Sequence, residues 1–303
     1  MQPPDDFDPP IGIAQTLSQG VRRIVAPNPS PMTYRGTNTY IVGTRDLAVI
    51  DPGPLDLHHL EAILDACASP QKVTKIIVTH SHLDHSPLAR PLSERTGAPI
   101  YAFGDARAGR SDAMQALARS GMTGGGEGID HSFVPDQIVM HDQRLSGSDW
   151  HLDVIHTPGH LGNHICLGLE GLCFTADHVM GWSSSLVSPP DGDLTDFMAS
   201  CARLRTRDWR RFLPGHGGTV DTPHDRLDWL ITHRKGREAA ILKALRSKPA
   251  TAKQLTHAVY TDTPTALLPV AERNVLAHLI DLMGQSKVQA LGILSADVLF
   301  KCR

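Results

Sequence analysis

The sequence predicts an α+β protein with a large N-terminal domain and a small helical domain at the C-terminus. Short β-rich runs in the first two-thirds of the chain end at histidine or aspartate residues, and three helical segments follow residue 225. With 303 residues, 41% hydrophobic and 20% charged, the chain is long enough to bury a core. We therefore expect one domain over residues 1–224 and a winged-helix-like domain over residues 225–303.

Composition argues against export and against a membrane protein. No apolar run reaches the roughly 18 residues that a membrane span requires. The N-terminus, residues 1–15, is acidic and proline-rich, whereas a secretory signal begins with basic residues and continues with an apolar stretch. The five cysteines are scattered, with no CxxC pair, which favours reduced thiols. We expect a cytoplasmic protein that does not interact with membranes.

The predicted elements of the first domain alternate between strands and helices. Residues Asn38–Gly53 predict a hairpin of buried strands, Asp56–Cys67 a helix with its leucines on one face, and Lys75–Thr79 a short buried strand. Further strands are expected in Trp150–Thr157 and Ile165–Ala176. Each of the later strands leads into a candidate site residue, as expected for sites built in loops on a sheet scaffold.

Two loops carry no motif that explains them. Gly104–Gly128 places one short helical stretch between glycines, which predicts a mobile surface insertion and leaves open whether it is a lid or a connector without a role. Trp182–Asp196 contains two prolines and several small polar residues. We expect this loop either to line the entrance of a site or to have no function.

The C-terminal segment has the pattern of three helices and a hairpin. Helices are expected in Asp225–Pro249, Thr251–Tyr260 and Pro269–Val288, and a short hairpin through Leu291–Lys301. From Arg226 onward there are twelve Lys and Arg against six Asp and Glu, a net charge of +6, which leaves −9 on the preceding residues. A basic winged-helix-like domain is compatible with nucleic-acid contact, but also with a solvated wall of a cleft.

The strongest site signal is the sequence THSHLDH, residues 79–85. His80, His82, Asp84 and His85 offer four metal-binding side chains within six residues, directly after a predicted strand. In a turn, His80 and His82 can converge on one ion while Asp84 and His85 face a second. We therefore expect two neighbouring metal ions.

Three later positions complete a double site. His160 lies in TPGH, Asp177 in FTADH and His216 in LPGHGG. We expect His160 to join the first ion and His216 the second, with the Asp177 carboxylate bridging both. Imidazole and carboxylate ligands suit zinc, iron or manganese, with zinc the first expectation.

These residues resemble the metallo-β-lactamase-fold hydrolases, whose hallmark is HxHxDH followed by single His, Asp and His ligands. Asp at position 177, where one class of true β-lactamases has cysteine, resembles the broader hydrolase set. The motifs TNTYIVG, VIDPG, GHLGNHICL, FTADHVMG and HRKGRE resemble the β-lactamase-like protein 2 group, which includes a mitochondrial endoribonuclease acting on single-stranded RNA. The resemblance implies a four-layer αββα catalytic sandwich with metals at one edge of two sheets, followed by a winged helix.

The chemistry expected of such a site is hydrolysis by a hydroxide that bridges two metal ions. Asp84 would orient the water and accept its proton. His164, in the GHxxxH pattern, and Tyr40 are the candidate proton donors, and His178 is expected to hold a ligand by an outer hydrogen bond.

Three functions remain open from the sequence. The first is a phosphodiesterase that resembles the endoribonuclease, with the basic C-terminal domain contacting single-stranded RNA; the low aromatic content, 5%, argues against base stacking. The second is a hydrolase of small thioesters, lactones or esters. The third is a DNA-binding regulator with a degenerate sandwich, which the intact ligand set disfavours. A homodimer through Trp182 or Phe197 is also compatible with the sequence.

Overall fold

The computed structural model describes residues 7–67, 69–124 and 128–303. Its strands are β1 Gln15–Ser18, β2 Val21–Val25, β3 Asn38–Val42, β4 Asp46–Ile50, β5 Lys72–Ile77, β6 Ile100–Ala102, β7 Gln137–Ile138, β8 Arg144–Ser146, β9 His151–His156, β10 Ile165–Leu169, β11 Leu172–Ala176, β12 Arg211–Pro214, β13 Val288–Ala290 and β14 Phe300–Cys302. Its α-helices are α1 Leu57–Ala66, α2 Ala89–Thr96, α3 Asp112–Arg119, α4 Leu194–Arg205, α5 Pro223–Leu245, α6 Ala252–Val259 and α7 Leu268–Gly284, with a 3-10 turn at Thr265–Leu267.

Two mixed sheets form the centre of the first domain. The larger has seven strands in sequence order β1 to β7, antiparallel from β1 to β4 and parallel from β4 to β7. The smaller has five strands in the order β12-β11-β10-β9-β8, with only β11 and β12 parallel. Because parallel neighbours end at the same edge of a sheet, β4 with β5 and β11 with β12 bring four loops to matching edges.

Three buried clusters fill the layers of this sandwich. Between the sheets, Tyr40 and Ile50 of the larger sheet pack with Leu152 and Phe174 of the smaller one. Helices α1 and α2 cover the outer face of the larger sheet, and α4 with the first half of α5 covers the smaller. The central strands β3, β4, β10 and β11 are buried almost without interruption, because both faces of each sheet are covered in the predicted αββα architecture.

The second domain packs around a cluster of its own. The second half of α5 contributes Ile241 and Leu245, and α6, α7 and the β13–β14 pair supply the remaining buried side chains. Helix α5 is continuous through both packing regions, since Leu227 and Leu230 lie in the core beside the smaller sheet. The predicted boundary between residues 224 and 225 falls in its first turn, and the division into domains remains a prediction.

Most predicted elements are present, and one of them is displaced. The predicted hairpin over Leu291–Lys301 is displaced: β13 precedes it, β14 begins at Phe300, and most of the predicted segment is the connecting loop.

Phe197 is completely buried against α5, so it cannot form a dimer surface. The homodimer itself and the cytoplasmic location stay predictions. None of the helices in the described part of the chain is long and apolar enough to cross a bilayer.

Candidate metal centre

The seven predicted ligands come together from four strand ends at one edge of the sandwich. The THSHLDH turn follows β5, His160 follows β9, Asp177 follows β11 and His216 follows β12. The backbone turns abruptly at the end of β11, where Ala176 before Asp177 has φ +41°, and also after the neighbouring strand β4, where Asp51 has φ +48°. Such φ values are unfavourable for non-glycine residues, and this strain is typical of functional loops.

The first group of ligand atoms contains three histidine nitrogens and one carboxylate oxygen. His82 Nδ1 lies 3.0 Å from His80 Nε2 and 3.1 Å from His160 Nε2. Asp177 Oδ2 lies 3.6 Å from His160 Nε2 and 3.9 Å from His80 Nε2. These are the members that the sequence predicted for the first ion.

The second group uses the other oxygen of the same aspartate. Asp177 Oδ1 lies 3.3 Å from His216 Nε2 and 3.4 Å from His85 Nε2. Asp84 Oδ2 lies 3.1 Å from His216 Nε2 and 3.3 Å from His85 Nε2. Because Asp177 presents Oδ2 to one group and Oδ1 to the other, its carboxylate has the geometry of a bridging ligand.

The donor set fits divalent cations better than it fits a hydrogen-bonded cluster. Asp177 Oδ1 is buried and accepts no hydrogen bond within the described residues, which is costly unless a cation balances it. A tetrahedral ion bound at about 2.0–2.1 Å places its nitrogen ligands about 3.3 Å apart, close to the separations in both groups. His80, His82, His160 and Asp177 form one candidate cation group, and Asp84, His85 and His216 another.

Hydrogen bonds behind the ligands select the ring nitrogen that faces the centre. The Asp51 carboxylate accepts hydrogen bonds from the Thr79 amide and hydroxyl, both at 2.7 Å, and lies 2.9 Å from His85 Nδ1. Because the Thr79 hydroxyl donates to Asp51, it accepts from His80 Nδ1 at 3.0 Å. His80 and His85 therefore carry their proton on Nδ1 and present an unprotonated Nε2 to a metal.

The other two Nε2 ligands are oriented by backbone carbonyls. His160 Nδ1 donates to Leu186 O at 2.7 Å, and His216 Nδ1 donates to Gly36 O at 3.2 Å. Asp51 is not among the residues that the sequence pattern predicts for the site, although it lies in the VIDPG motif at the end of the predicted hairpin. A lone acid after a strand carries no ligand spacing, so only the fold shows which histidine it contacts.

The two groups differ in electrostatics. Burial, followed by the neighbouring His160 ring, lowers the pKa of His82 to about 3, so this ring is neutral at pH 7. Burial alone would also lower the pKa of His216, but the Asp177 and Asp84 carboxylates outweigh burial and raise that pKa to about 10. The carboxylates of the second group therefore stabilise a positive charge more strongly than the first group does. The first group contains neutral imidazoles that can bind a cation directly.

A glycine is required between the second group and the sheet edge. A Cβ on Gly215 would lie 2.5 Å from Asp177 Oδ1 and 2.9 Å from His85 Cε1. Real side chains do not approach this closely, so the residue before His216 has no room for a larger side chain.

Comparison with known proteins agrees with the fold and the centre. Residues 32–230 match the family described as the metallo-beta-lactamase superfamily. The chain belongs to this superfamily. Residues 251–294 match the beta-lactamase associated winged helix domain, so α6, α7 and β13 belong to that second family. Together with the His/Asp cluster, the superfamily membership makes the chain a metal-dependent hydrolase.

Some of the similar proteins are named for a reaction and others are not. The chain is 29% identical over 289 residues to the beta-lactamase-like protein 2 homolog of Drosophila melanogaster, covering 90% of this chain and 91% of the relative. It is 27% identical over 249 residues to the atrochrysone carboxyl ACP thioesterase of Aspergillus fumigatus, covering 79% and 69%. A beta-lactamase domain protein from Burkholderia ambifaria has the same fold, with a TM-score of 0.80 at 21% identity and coverage of 98% and 96%.

The predicted proton donors lie away from the open side of this superfamily site. His164 is completely buried behind the ligand rings, 5.1 Å from the His80 ring centroid, and its Nδ1 contacts Thr157 Oγ1 at 2.9 Å. The Tyr40 hydroxyl donates to Pro214 O at 2.7 Å, within the core between the sheets. Burial therefore favours structural roles for both, and catalysis by His164 remains a prediction.

His178 is buried behind the ligands. Its Nε2 lies 3.5 Å from Cys201 Sγ, and its ring packs on Phe197. Burial, with a smaller effect from His160, lowers its pKa to about 3. An outer hydrogen bond from His178 to a ligand side chain is not found within the described residues, so its predicted supporting role rests on packing.

A cleft of two connected chambers opens onto the ligands. The first, about 680 Å³, is bounded by the metal centre on one side and by α7 on the other, where Val270, Arg273 and Leu276 face it. Gly128, at the end of the predicted insertion, also lines it, whereas residues 125–127 of that insertion lie outside the described residues. The winged helix domain therefore forms a wall of the cleft.

The second chamber, about 600 Å³, extends from His160 and Asp177 toward aromatic side chains. Trp182 stacks on Tyr34 with centroids 5.1 Å apart, and Trp229 stacks on His233 with centroids 4.9 Å apart. The loop from Trp182 to Asp196, whose role the sequence left open, contributes Trp182 to this chamber.

Proposed function

We propose that the chain hydrolyses esters or thioesters that carry a bulky apolar group, using two divalent metal ions. The observation that supports this best is the cleft, which leads from the Asp177 carboxylate into a chamber lined by Trp182, Trp229, Tyr260 and Leu267. Clefts of this size and apolar character suit small organic ligands. The thioesterase relative supports the same reaction class.

The centre would hold its two cations with the groups described above. Zinc is the first choice, with iron and manganese as alternatives, and such ions lower the pKa of bound water and polarise the bond under attack. Asp84 has the most exposed side chain of the seven ligands, 26% against 11% for Asp177, so it faces the substrate side. It can orient the attacking water and accept its proton.

The cleft itself offers few free cations for a nucleic acid. Four arginines of the C-terminal segment are committed to protein acceptors. They are Arg226 to Met180 O and Ser183 O, Arg234 to Ser185 O, Arg237 to Val259 O and Arg273 to Ser188 Oγ. The +6 charge of the segment therefore overstates the positive surface available to phosphates, which is why a small substrate is preferred.

A phosphodiesterase acting on single-stranded RNA is the second candidate. Lys235, Lys243, Arg246, Lys248 and Lys253 are exposed on α5, α6 and the turn between them. These side chains form a basic surface on the winged helix domain, and the resemblance to the β-lactamase-like protein 2 group covers nearly the whole chain. The intact ligand cluster weighs against the third function, a regulator without catalysis.

Hydrolysis of a defined substrate panel separates these functions. We expect the wild-type protein to bind close to two metals per chain and to cleave aryl and long-chain acyl thioesters, with Asp177→Ala losing both properties. Cleavage of single-stranded RNA and not of thioesters would contradict the esterase or thioesterase function and support the phosphodiesterase. Wild-type protein without bound metal after loading with zinc, iron or manganese would contradict both.

A further inference from the structure

Two metal ligands are held by one short segment after β11. Leu186 O accepts the hydrogen bond of His160 Nδ1 at 2.7 Å. One residue earlier, Ser185 Oγ donates to the backbone carbonyl of Asp177. Residues 185–187 therefore set the orientation of His160 and the position of the bridging carboxylate together.

The winged helix side of the molecule holds this segment in turn. Asn274 of α7 accepts the Val187 N–H at 3.1 Å. Arg234 of α5 donates to Ser185 O and, at 2.9 Å, to the same Asn274 oxygen. A chain of contacts thus runs from α5 and α7 through residues 185–187 to two metal ligands.

The burial of the Arg234 guanidinium costs desolvation energy that packing alone does not explain. It is only 2% exposed, and its Nε has no acceptor within the described residues. Burial lowers its pKa, and the other groups that affect it most are Tyr260, Cys201 and Arg237, none of them a carboxylate. Because a buried cation without an ion-pair partner costs desolvation energy, an apolar side chain of similar volume would serve a purely structural role better.

We infer that Arg234 is a positioning residue for the metal centre: it fixes residues 185–187 so that His160 and Asp177 converge with His80 and His82. This inference rests on the proposed metal site. The C-terminal domain then contributes to metal affinity, in addition to forming a wall of the cleft.

The test compares two arginines of the same helix in full-length protein. Arg226 also donates two hydrogen bonds to the loop after β11, but in the part of the chain that the structure describes its acceptor residues, Met180 and Ser183, make no hydrogen bond to a ligand residue. After chelator treatment, zinc affinity is measured by competition with a colorimetric chelator for wild type, Arg234→Met and Arg226→Met. We expect Arg234→Met to weaken zinc affinity about ten-fold and Arg226→Met to leave it within about two-fold of wild type.

The outcomes distinguish this inference from the proposed function. Equal zinc affinity in wild type and Arg234→Met overturns the inference alone, and equal losses in both variants show a general loosening and also overturn it. A wild type that binds no zinc, iron or manganese overturns the proposed metal site. If Arg234→Met does not fold, Asn274→Asp and Asn274→Leu replace it: Asp keeps the acceptor for Val187 N and Arg234 and should retain affinity, whereas Leu should lose it.

Discussion

Asp51 and His85 lie 2.9 Å apart, carboxylate oxygen to Nδ1, although 34 residues and a complete helix separate them in the sequence. The same carboxylate accepts two hydrogen bonds from Thr79, whose hydroxyl contacts His80 Nδ1. One acid outside the ligand set therefore orients a histidine of each metal group.

Substitution of Asp51 by Asn should weaken zinc binding at both groups by at least about ten-fold. The amide accepts hydrogen bonds on one oxygen only, and with its NH2 group at the Oδ2 position both His85 Nδ1 and the Thr79 hydroxyl lose their acceptor. Chelator competition measures the change. Asp56→Ala is the matched control, because Asp56 caps α1 through the His59 amide in the same loop; it should cost about 1 kcal/mol of stability without changing metal affinity. An unchanged affinity in Asp51→Asn would contradict the assigned tautomers.

Substitution of Gly215 by Ala should displace the second metal more than the first. The added methyl group would lie 2.5 Å from Asp177 Oδ1 and 2.9 Å from the His85 ring. Metal content per chain should fall from two toward one, measured by elemental analysis. Gly236→Ala is the control on α5, where a Cβ meets nothing within 4 Å, and helix propensity predicts about 1 kcal/mol of added stability. Two retained metals in Gly215→Ala would refute the close approach.

Substitution of Trp229 by Ala should raise KM for aryl thioesters and leave KM for acetyl thioesters unchanged. Trp229 is 40% exposed, lines the second chamber and stacks on His233 at an interplanar angle of 12°, whereas an acetyl group has no ring or long chain that could pack on an indole. Loss of a stacking partner costs about 0.5–1.5 kcal/mol, which is about a two- to thirteen-fold change in KM. Ile293→Ala, an 89% exposed residue on the same domain, serves as control. Equal changes in KM for aryl and acetyl thioesters would show that the acyl group does not bind in the second chamber.

Substitution of His278 by Leu should reduce the loss of stability in mild acid. His278 is 1% exposed, neither ring nitrogen has a partner within the described residues, and burial with the nearby Arg234 lowers its pKa to about 3. Between pH 6.5 and 3 the unfolded state binds this proton more readily, so folding stability falls as pH falls, by about 1.4 kcal/mol per pH unit for each such histidine.

Urea unfolding of metal-free protein at several pH values measures that slope. The slope of His278→Leu should be shallower than that of wild type across this window, whatever the substitution does to stability at pH 7. His257→Leu, at an exposed position on α6, controls for the loss of a histidine. Parallel slopes for wild type and His278→Leu would show that burial does not keep His278 neutral.

The helices and most strands follow from local sequence patterns. The helix predicted over Asp56–Cys67 forms at Leu57–Ala66, and that predicted over Thr251–Tyr260 forms at Ala252–Val259. The hairpin predicted near the C-terminus lies elsewhere, because β14 pairs with Val288–Ala290, which precede the predicted segment Leu291–Lys301. Strand pairing depends on a distant neighbour, and a single segment does not encode its register.

The sequence by itself predicted which side chains form the candidate metal centre, because His80, His82, Asp84 and His85 are closely spaced and the three later candidates each follow a predicted apolar strand or helix. The grouping around Asp177 also followed from ligand chemistry. Only the tertiary structure decided what surrounds these residues: the hydrogen bonds of Asp51, the burial of His164, the aromatic chamber and the link from Arg234 to His160. Each of these depends on contacts between residues far apart in the chain, and such contacts arise from the packing of sheets and helices rather than from any local pattern.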